Sequence, residues 1–157
     1  SPEDMMRYIN KKGRDNARTP MQWNDTENAG FTTGTPWFTV NPNYKEVNVA
    51  EQEKDPDSIL NFYKHLIQMR KEYPIIVYGS YKLLYPDHKT AFVYERMLED
   101  EKLLVACNFS AEELELEVPA EFVQKEAELL ISNYHEAKIS EKLVLRPYEA
   151  RVYRITK

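Results

Sequence analysis

Gly13-Arg14-Asp15-Asn16-Ala17-Arg18-Thr19-Pro20-Met21-Gln22-Trp23 is the stretch on which the reading of this chain turns. It crowds Gly, Asp, Asn, Thr and Pro, the residues that punctuate a chain, around two arginines and an indole. No period of 2 or 3.6 runs through it, which predicts a shaped loop. Three of the chain's four glycines, Gly13, Gly30 and Gly34, fall here or just after. The irregular stretch runs on to about Asp55, with Trp23, Phe31, Trp37, Phe38 and Tyr44 spread along it. A connection this long inside a compact domain is usually functional. The competing reading is a surface loop with some buried aromatics.

Working outward on the N-terminal side, Ser1-Pro2-Glu3-Asp4 reads as a helix start. Ser1 serves as N-cap, Pro2 fits the first helical position, and the acids suit the positive end of the helix dipole. Met5, Tyr8 and Ile9 share one face, and Gly13 is expected to close the helix as a left-handed cap. Pro20, Pro36 and Pro42 each block helix continuation, so little regular structure is expected from Asp15 to Lys54, with short extended pieces around Phe38, Val40, Val47 and Val49. Asp55-Pro56 then predicts a helix start, and Ile59, Phe62, Tyr63, Leu66 and Ile67 form an apolar stripe that needs a substantial partner surface. This helix should stop near Tyr73, before Pro74.

After Pro74 the texture changes to short runs rich in Val, Ile, Leu, Tyr and Phe. Candidate strands are 76–78, 81–85, 91–98, 102–109, 114–118, 127–132, 142–145 and 150–155. Leu114, Leu116 and Val118 alternate with Glu115 and Glu117, as in a half-buried strand. Pro86-Asp87-His88, Glu99-Asp100-Glu101 and Asn133-Tyr134-His135 mark turns. Strands at this spacing predict an antiparallel sandwich or barrel. Residues 121–127 are the one place where a short helical turn competes with that reading.

The chain has 157 residues, enough for one domain or one domain plus a fragment. Its net charge is −5 with no basic cluster, which argues against a nucleic-acid partner. No apolar run approaches the roughly 18 residues that span a bilayer, and no signal-peptide pattern is present. Cys107 is the only cysteine, so no internal disulfide can form, and a reducing cytoplasm is the expected location. Between apolar neighbours it reads as a small core residue, not a nucleophile. His65, His88 and His135 stand far apart, no Cys-x₂-Cys or His-x₃-His spacing occurs, and no Gly-rich phosphate loop or Gly-x-Ser-x-Gly elbow appears. No metal and no cofactor is therefore expected. Glu99-Asp100-Glu101 and Glu112-Glu113 read as solvated turns.

Arg14 to Trp23, Asn28-Ala29-Gly30-Phe31-Thr32-Thr33-Gly34-Thr35-Pro36-Trp37 and Val40-Asn41-Pro42-Asn43-Tyr44 together resemble the family 13 glycoside hydrolases of the oligo-1,6-glucosidase and α-glucosidase type. The resemblance continues through Asp57-Ser58-Ile59, Leu66 to Lys71 and Val77-Tyr78-Gly79-Ser80-Tyr81, and ends with Leu145-Arg146-Pro147-Tyr148-Glu149-Ala150. Those enzymes are several times longer, and the chain looks like their last quarter. The resemblance implies a mainly β chain: an antiparallel β-sandwich C-terminal domain preceded by an α-helix and a long loop from the end of a (β/α)₈ barrel. Residues 1–74 would finish that barrel, with the long loop at 13–55 and the last helix at about 56–73. Residues 75–157 would form the all-β domain.

For chemistry, the resemblance implies an exo-acting, retaining α-glucosidase whose substrate is a short oligosaccharide. Retaining hydrolysis needs two carboxyl groups about 5 Å apart, and in that family they lie on upstream barrel strands, the barrel being this segment's own partner. No catalytic residue is therefore assigned here, and Asp15 matches none of them. Arg14 maps onto an arginine of the pocket for the non-reducing glucose, where its fork can bind a carboxylate and a hydroxyl together. Arg18 is the second substrate-binding candidate, with bracing of the loop as its competing role. Gln22 and Trp23 are candidates for lining the approach, against a buried indole that fixes the loop. The alternative function is a non-catalytic β-sandwich that binds carbohydrate or a protein, for which coplanar exposed Tyr81, Tyr85 and Tyr94 would speak. Linkage preference among isomaltase, dextran glucosidase, trehalose-6-phosphate hydrolase and sucrose isomerase types stays open.

Overall fold

The computed structural model describes residues 1–124, 127–135 and 139–156. They fall into two compact units, Ser1–Gln68 and Met69–Lys157.

The first unit is built of helices and tight turns. Helix α1 (Pro2–Lys12) starts as expected: the Ser1 hydroxyl accepts from the Asp4 N–H and the Asp4 carboxylate folds back on the cap. Its end differs from the expectation. Gly13 is extended (φ −65°, ψ 127°), not left-handed. Glycine is needed there for space, because a Cβ would lie 2.6 Å from the Ile9 carbonyl oxygen. From there to residue 48 the backbone runs through short 3₁₀ turns at Asp15–Ala17, Glu27–Gly30 and Pro42–Lys45. Val47 and Val49 are not extended, since a helix the periodicity did not announce, α2 (Val49–Lys54), begins here. Its N-cap is Asn48, whose side chain accepts from the Glu51 N–H at 3.0 Å. Helix α3 (Ile59–Glu72) starts later than Asp55-Pro56 suggests, because Asp55–Ser58 closes a turn of its own, with the Ser58 N–H on the Asp55 carbonyl.

The second unit carries the sheets. Residues 76–78, expected as a strand, belong instead to a one-turn helix, α4 (Ile75–Tyr78). The Pro74 and Ile75 carbonyls accept from the Tyr78 and Gly79 N–H groups, and these local bonds override the β-branched preference of Ile-Ile-Val. The remaining strands follow the apolar pattern closely: β1 (Ser80–Leu84), β2 (Ala91–Leu98), β3 (Glu101–Asn108), β4 (Leu114–Glu117), β5 (Glu128–Ser132), β6 (Lys142–Leu145) and β7 (Ala150–Thr156). Helix α5 (Ala120–Gln124) resolves the open choice at 121–127 in favour of a helical turn, positions 125 and 126 lying outside the described residues. One antiparallel sheet has the order β1-β2-β3-β7-β5, and β4 pairs with β6 in a second.

Alternation puts Val93, Leu104, Ala106, Tyr153 and Ile155 of the large sheet on one face. They pack with Leu114, Leu116, Leu143 and Leu145 of the small sheet and with Phe122 of α5 in a single core. This is a two-layer antiparallel sandwich.

Asn108 and Glu149 stitch the edge of this core. Buried Asn108 donates to the Glu112 and Arg146 carbonyls (2.7 and 3.0 Å) and accepts from Ser110. Glu149 is fully buried, and its carboxylate accepts from Arg151 Nε (2.7 Å), Arg151 Nη2 (2.8 Å), Arg146 Nη2 (3.0 Å) and the Arg146 N–H (2.7 Å). Burial on its own pushes this carboxyl up, but the arginine hydrogen bonds outweigh it and hold the pKa at about 2.

Candidate functional site

The loop from Gly13 to Trp23 is positioned from both ends. At its entry, the Arg14 carbonyl accepts from the Ala17 N–H and the Asp15 carbonyl from the Arg18 N–H, which closes the 3₁₀ turn. At its exit Pro20 is buried, and the Gln22 amide donates to the Val47 carbonyl and to Asn43 Oδ1. The Gln22 and Trp23 carbonyls accept from Val49 and Ala50, the first turn of α2. Gln22 is therefore a brace between two stretches of the chain. Trp23 fixes the loop through its backbone while its indole is half exposed, so the expected buried indole is corrected.

The following segment is held by an unusual turn. Asn28, Ala29 and Gly30 have φ of +51°, +58° and +67°, a left-handed run that L-residues with side chains rarely adopt. The Ala29 carbonyl collects the Trp23 and Asn24 N–H groups (2.9 and 3.2 Å), and Asn28 Nδ2 donates to the Thr32 and Gly34 carbonyls. Those bonds over-determine the strained conformation.

The two candidate arginines have different surroundings. The Arg18 guanidinium pairs with the Asp15 carboxylate and lies 5.4 Å from the centre of the Phe38 ring. Phe38 in turn neighbours Trp37, which is 93% exposed, with ring centroids 6.5 Å apart. Arg18 thus ties the loop to the Gly34–Phe38 stretch. Arg14 is exposed, and among the described residues its side chain has no hydrogen-bond or ion-pair partner. A cavity of about 470 Å³ in this unit is lined by Pro20, Gln22, Val49, Ile59 and Tyr63 among others. Its walls hold neither arginine and no ionisable carboxyl.

Asp15 is taken by Arg18, Glu101 by Arg154, and Glu99 sits left-handed in the β2–β3 hairpin. Among the described residues, no three His, Cys, Asp or Glu side chains converge in a metal-holding group. Cys107 is half-buried on β3, and burial pushes its thiol up, away from nucleophilic reactivity at neutral pH. His88 uses Nδ1 to accept from the Thr90 and Ala91 N–H groups, a turn-closing role.

The tyrosines proposed for a sugar platform separate. Tyr81 and Tyr94 lie together with centroids 5.2 Å apart, and Phe92 joins them at 5.3 Å. Their planes tilt by 37° and 53°, so they form no single flat surface. Tyr85 points elsewhere, its hydroxyl donating to the Glu117 carbonyl. The buried Glu149 was missed as an organising residue. Its signal was the Arg-x-x-Glu-x-Arg spacing of 146, 149 and 151, which only a buried environment makes special.

Comparison with known proteins matches both units. Residues 1–79 match the alpha amylase catalytic domain, and residues 81–152 match the maltogenic amylase C-terminal domain. The chain is 57% identical over 109 residues, 69% of its length, to the oligo-1,6-glucosidase of Parageobacillus thermoglucosidasius, and 57% identical over 111 residues, 71% of its length, to that of Bacillus cereus. These stretches cover 19% and 20% of the two enzymes, so the chain spans about a fifth of the length of the curated relatives it matches. It superposes on the crystal structure of Bacillus licheniformis trehalose-6-phosphate hydrolase with a TM-score of 0.88 and 43% identity, over 98% of this chain and 28% of that one. On isomaltulose synthase from Klebsiella sp. LX3 the values are 0.80 and 43%, over 90% and 25%. With a catalytic-domain match over half its length and a C-terminal-domain match over most of the rest, the chain belongs to the alpha-amylase family of glycoside hydrolases.

Proposed function

We propose that these 157 residues form the carboxy-terminal part of an exo-acting, retaining α-glucosidase of the oligo-1,6-glucosidase type. In the complete protein, residues 1–74 finish a (β/α)₈ barrel and residues 75–157 form the sandwich that follows it. The substrate is a short oligosaccharide cleaved at its non-reducing end. The nucleophile and the general acid come from barrel strands outside this segment, and this part supplies one wall of the glucose pocket. Identity of more than half to oligo-1,6-glucosidases supports the substrate class. The single cysteine supports a cytoplasmic location, and among the described residues no helix is long and apolar enough to cross a membrane.

The observation that carries the assignment of roles is the contrast between the two arginines. Arg18 is already engaged by Asp15 and Phe38, which suits bracing. Among the described residues no side-chain partner engages the Arg14 guanidinium, at the start of the same turn, which suits a ligand. Its five donors can bind a pocket carboxylate and a sugar hydroxyl together.

The test is a kinetic comparison in the complete enzyme. Arg14→Ala is expected to lower kcat/KM for an isomalto-oligosaccharide by about 30- to 1,000-fold, roughly 2–4 kcal/mol. Arg14→Lys recovers only part, since an ammonium cannot span two acceptors as a fork does. Wild-type kcat/KM in Arg14→Ala, with loss in Arg18→Ala, would reverse the two roles.

A further inference from the structure

Residues 85–90 join β1 to β2, and they close on one histidine. The two strands pair from Ser80↔Met97 to Leu84↔Val93, so the Thr90 and Ala91 N–H groups lie beyond that ladder. His88 takes both: its Nδ1 accepts from the Thr90 N–H at 3.3 Å and from the Ala91 N–H at 3.0 Å. Its own backbone N–H donates to the Tyr85 carbonyl at 3.0 Å, which makes Tyr85–His88 a reverse turn. An Asp or Asn side chain ordinarily accepts from the backbone two residues on in such a turn, and near neutrality it does so whatever the pH. An imidazole nitrogen accepts only while it carries no proton. His88 is exposed, so protons reach the ring from bulk water.

The turn is coupled to more than itself. The Thr90 carbonyl accepts from the Phe109 N–H at 2.7 Å, just past the Ala91↔Asn108 pair that ends the β2–β3 ladder. Tyr85, left-handed at φ +52°, donates its hydroxyl to the Glu117 carbonyl on β4 and packs with Leu84 and Ala91 against the core. The turn therefore ties the large sheet to the small one at this end of the sandwich. A left-handed residue with a side chain persists only where its surroundings over-determine it, and two of the bonds that close this turn end on a titratable ring. The charges around that ring come from three sides. Asp87 and Lys89 flank it on the turn with opposite signs, Glu117 meets Tyr85 from β4, and the end of β3 brings the uncharged Phe109. Desolvation pushes the Tyr85 phenol up, so it stays neutral. Imidazole is the side chain that ordinarily changes charge between about pH 8 and pH 5.

We propose that the β1–β2 turn is an acid-released latch between the two sheets, shut while His88 Nδ1 accepts from Thr90 and Ala91 and open once that nitrogen is protonated. A protonated ring carries N–H donors on both nitrogens, so it has nothing to offer the two backbone donors and turns out to solvent. Both amides then take water as their partner, and the turn loses the bonds that hold Tyr85 in its left-handed backbone. The contribution to stability is present with the ring neutral and is lost as pH falls, because the opened turn binds a proton that the closed one excludes. The release is local. It also lies above the range in which Glu149, held at about 2, takes its proton.

The experiment is amide exchange of the 157-residue chain between about pH 8 and pH 5, with NMR of the imidazole nitrogens alongside. After correction for the intrinsic pH dependence of exchange, protection at Thr90 and Ala91 is expected to fall about ten-fold as the His88 ring titrates, while Leu104 in β3 keeps its value. At pH 8 the ring is expected as the tautomer protonated on Nε2. His88→Asn keeps an acceptor that does not titrate, and should hold the protection at every pH. His88→Ala should show low protection throughout. Unchanged protection in the wild type overturns the proposal, as does a ring protonated on Nδ1 at pH 8. A pH dependence that survives in His88→Asn overturns it too, by assigning the effect to other groups such as Asp87 or Glu117. So does a parallel loss at Leu104, which marks global unfolding. None of these readouts involves hydrolysis, so the α-glucosidase reading stands or falls separately.

Discussion

Glu149 shows what a single residue does here. A carboxylate with no exposed surface is tolerated because two guanidinium groups and a backbone N–H satisfy its oxygens. Its pKa of about 2 lies below the ordinary carboxyl value of 4.5, so its stabilising contribution is complete above about pH 4.5 and is lost as pH falls toward 2. The melting temperature of the chain is therefore expected to fall between pH 5 and pH 2, and Glu149→Gln should flatten that fall while starting lower. Glu149→Ala leaves Arg146 and Arg151 without their anion and should cost about 3–5 kcal/mol in urea unfolding at pH 7. Wild-type stability of Glu149→Ala would show that the triad is an ornament of the fold. By contrast, the Arg18–Asp15 pair is exposed, and losing it from the isolated chain should cost less than about 1 kcal/mol.

At the scale of an element, the left-handed turn at Asn28–Gly30 is the most demanding piece of local structure. A Cβ on Gly30 would meet the Asn24 carboxamide at 2.7 Å, and that side chain is pinned by accepting from the Thr26 N–H at 3.0 Å. Gly30→Ala should therefore destabilise the turn by about 1–3 kcal/mol through φ strain and overpacking. The sensitive readout is amide exchange at Trp23 and Asn24, whose N–H groups donate to Ala29. Faster exchange there with β3 unchanged is the expected result, and unchanged exchange at both would mean that the turn relaxes freely. The sequence placed Asn28-Ala29-Gly30 in an irregular stretch, but its positive φ values were not legible there. Helix α4 makes the complementary point. Ile-Ile-Val reads as strand by propensity, and Pro74 at the N-cap with a Gly79 N–H to close the turn makes it a helix.

Across the whole molecule, burial is distributed unequally. Among the described residues of Ser1–Gln68, the buried apolar side chains are Pro20 and Ala29, whereas Met69–Lys157 holds the continuous core. The stripe of α3 is largely in solvent, with Ile59 81% exposed. Local stability follows buried contacts. Amide exchange of the isolated chain is expected to be slow in β3 and β7 and fast from residue 14 to 44, and uniform protection across both would contradict this. The isolated chain should also show no turnover of an aryl α-glucoside, since on the proposed reading the nucleophile and the general acid lie on barrel strands outside this segment. Measurable hydrolysis by contamination-free material would reopen Asp15 and the acidic turns as catalytic groups.

What the sequence determined by itself was the pattern carried by local chemistry and period. The first helix with its Ser-Pro start, the loop punctuated by Gly and Pro, the strands β2, β6 and β7, and the family motif from Arg14 to Trp23 all follow from neighbouring residues. Side-chain alternation and capping act over a few positions, so they are legible in a string. Only the tertiary structure decided the rest. It paired β7 between β3 and β5, buried Glu149 between two arginines, gave Arg18 to Asp15 and Phe38 while leaving Arg14 open, and divided the tyrosines between two surroundings. Each of these depends on which distant residue arrives at a given place, and in water-excluded surroundings that neighbour sets both the charge state and the role of a side chain.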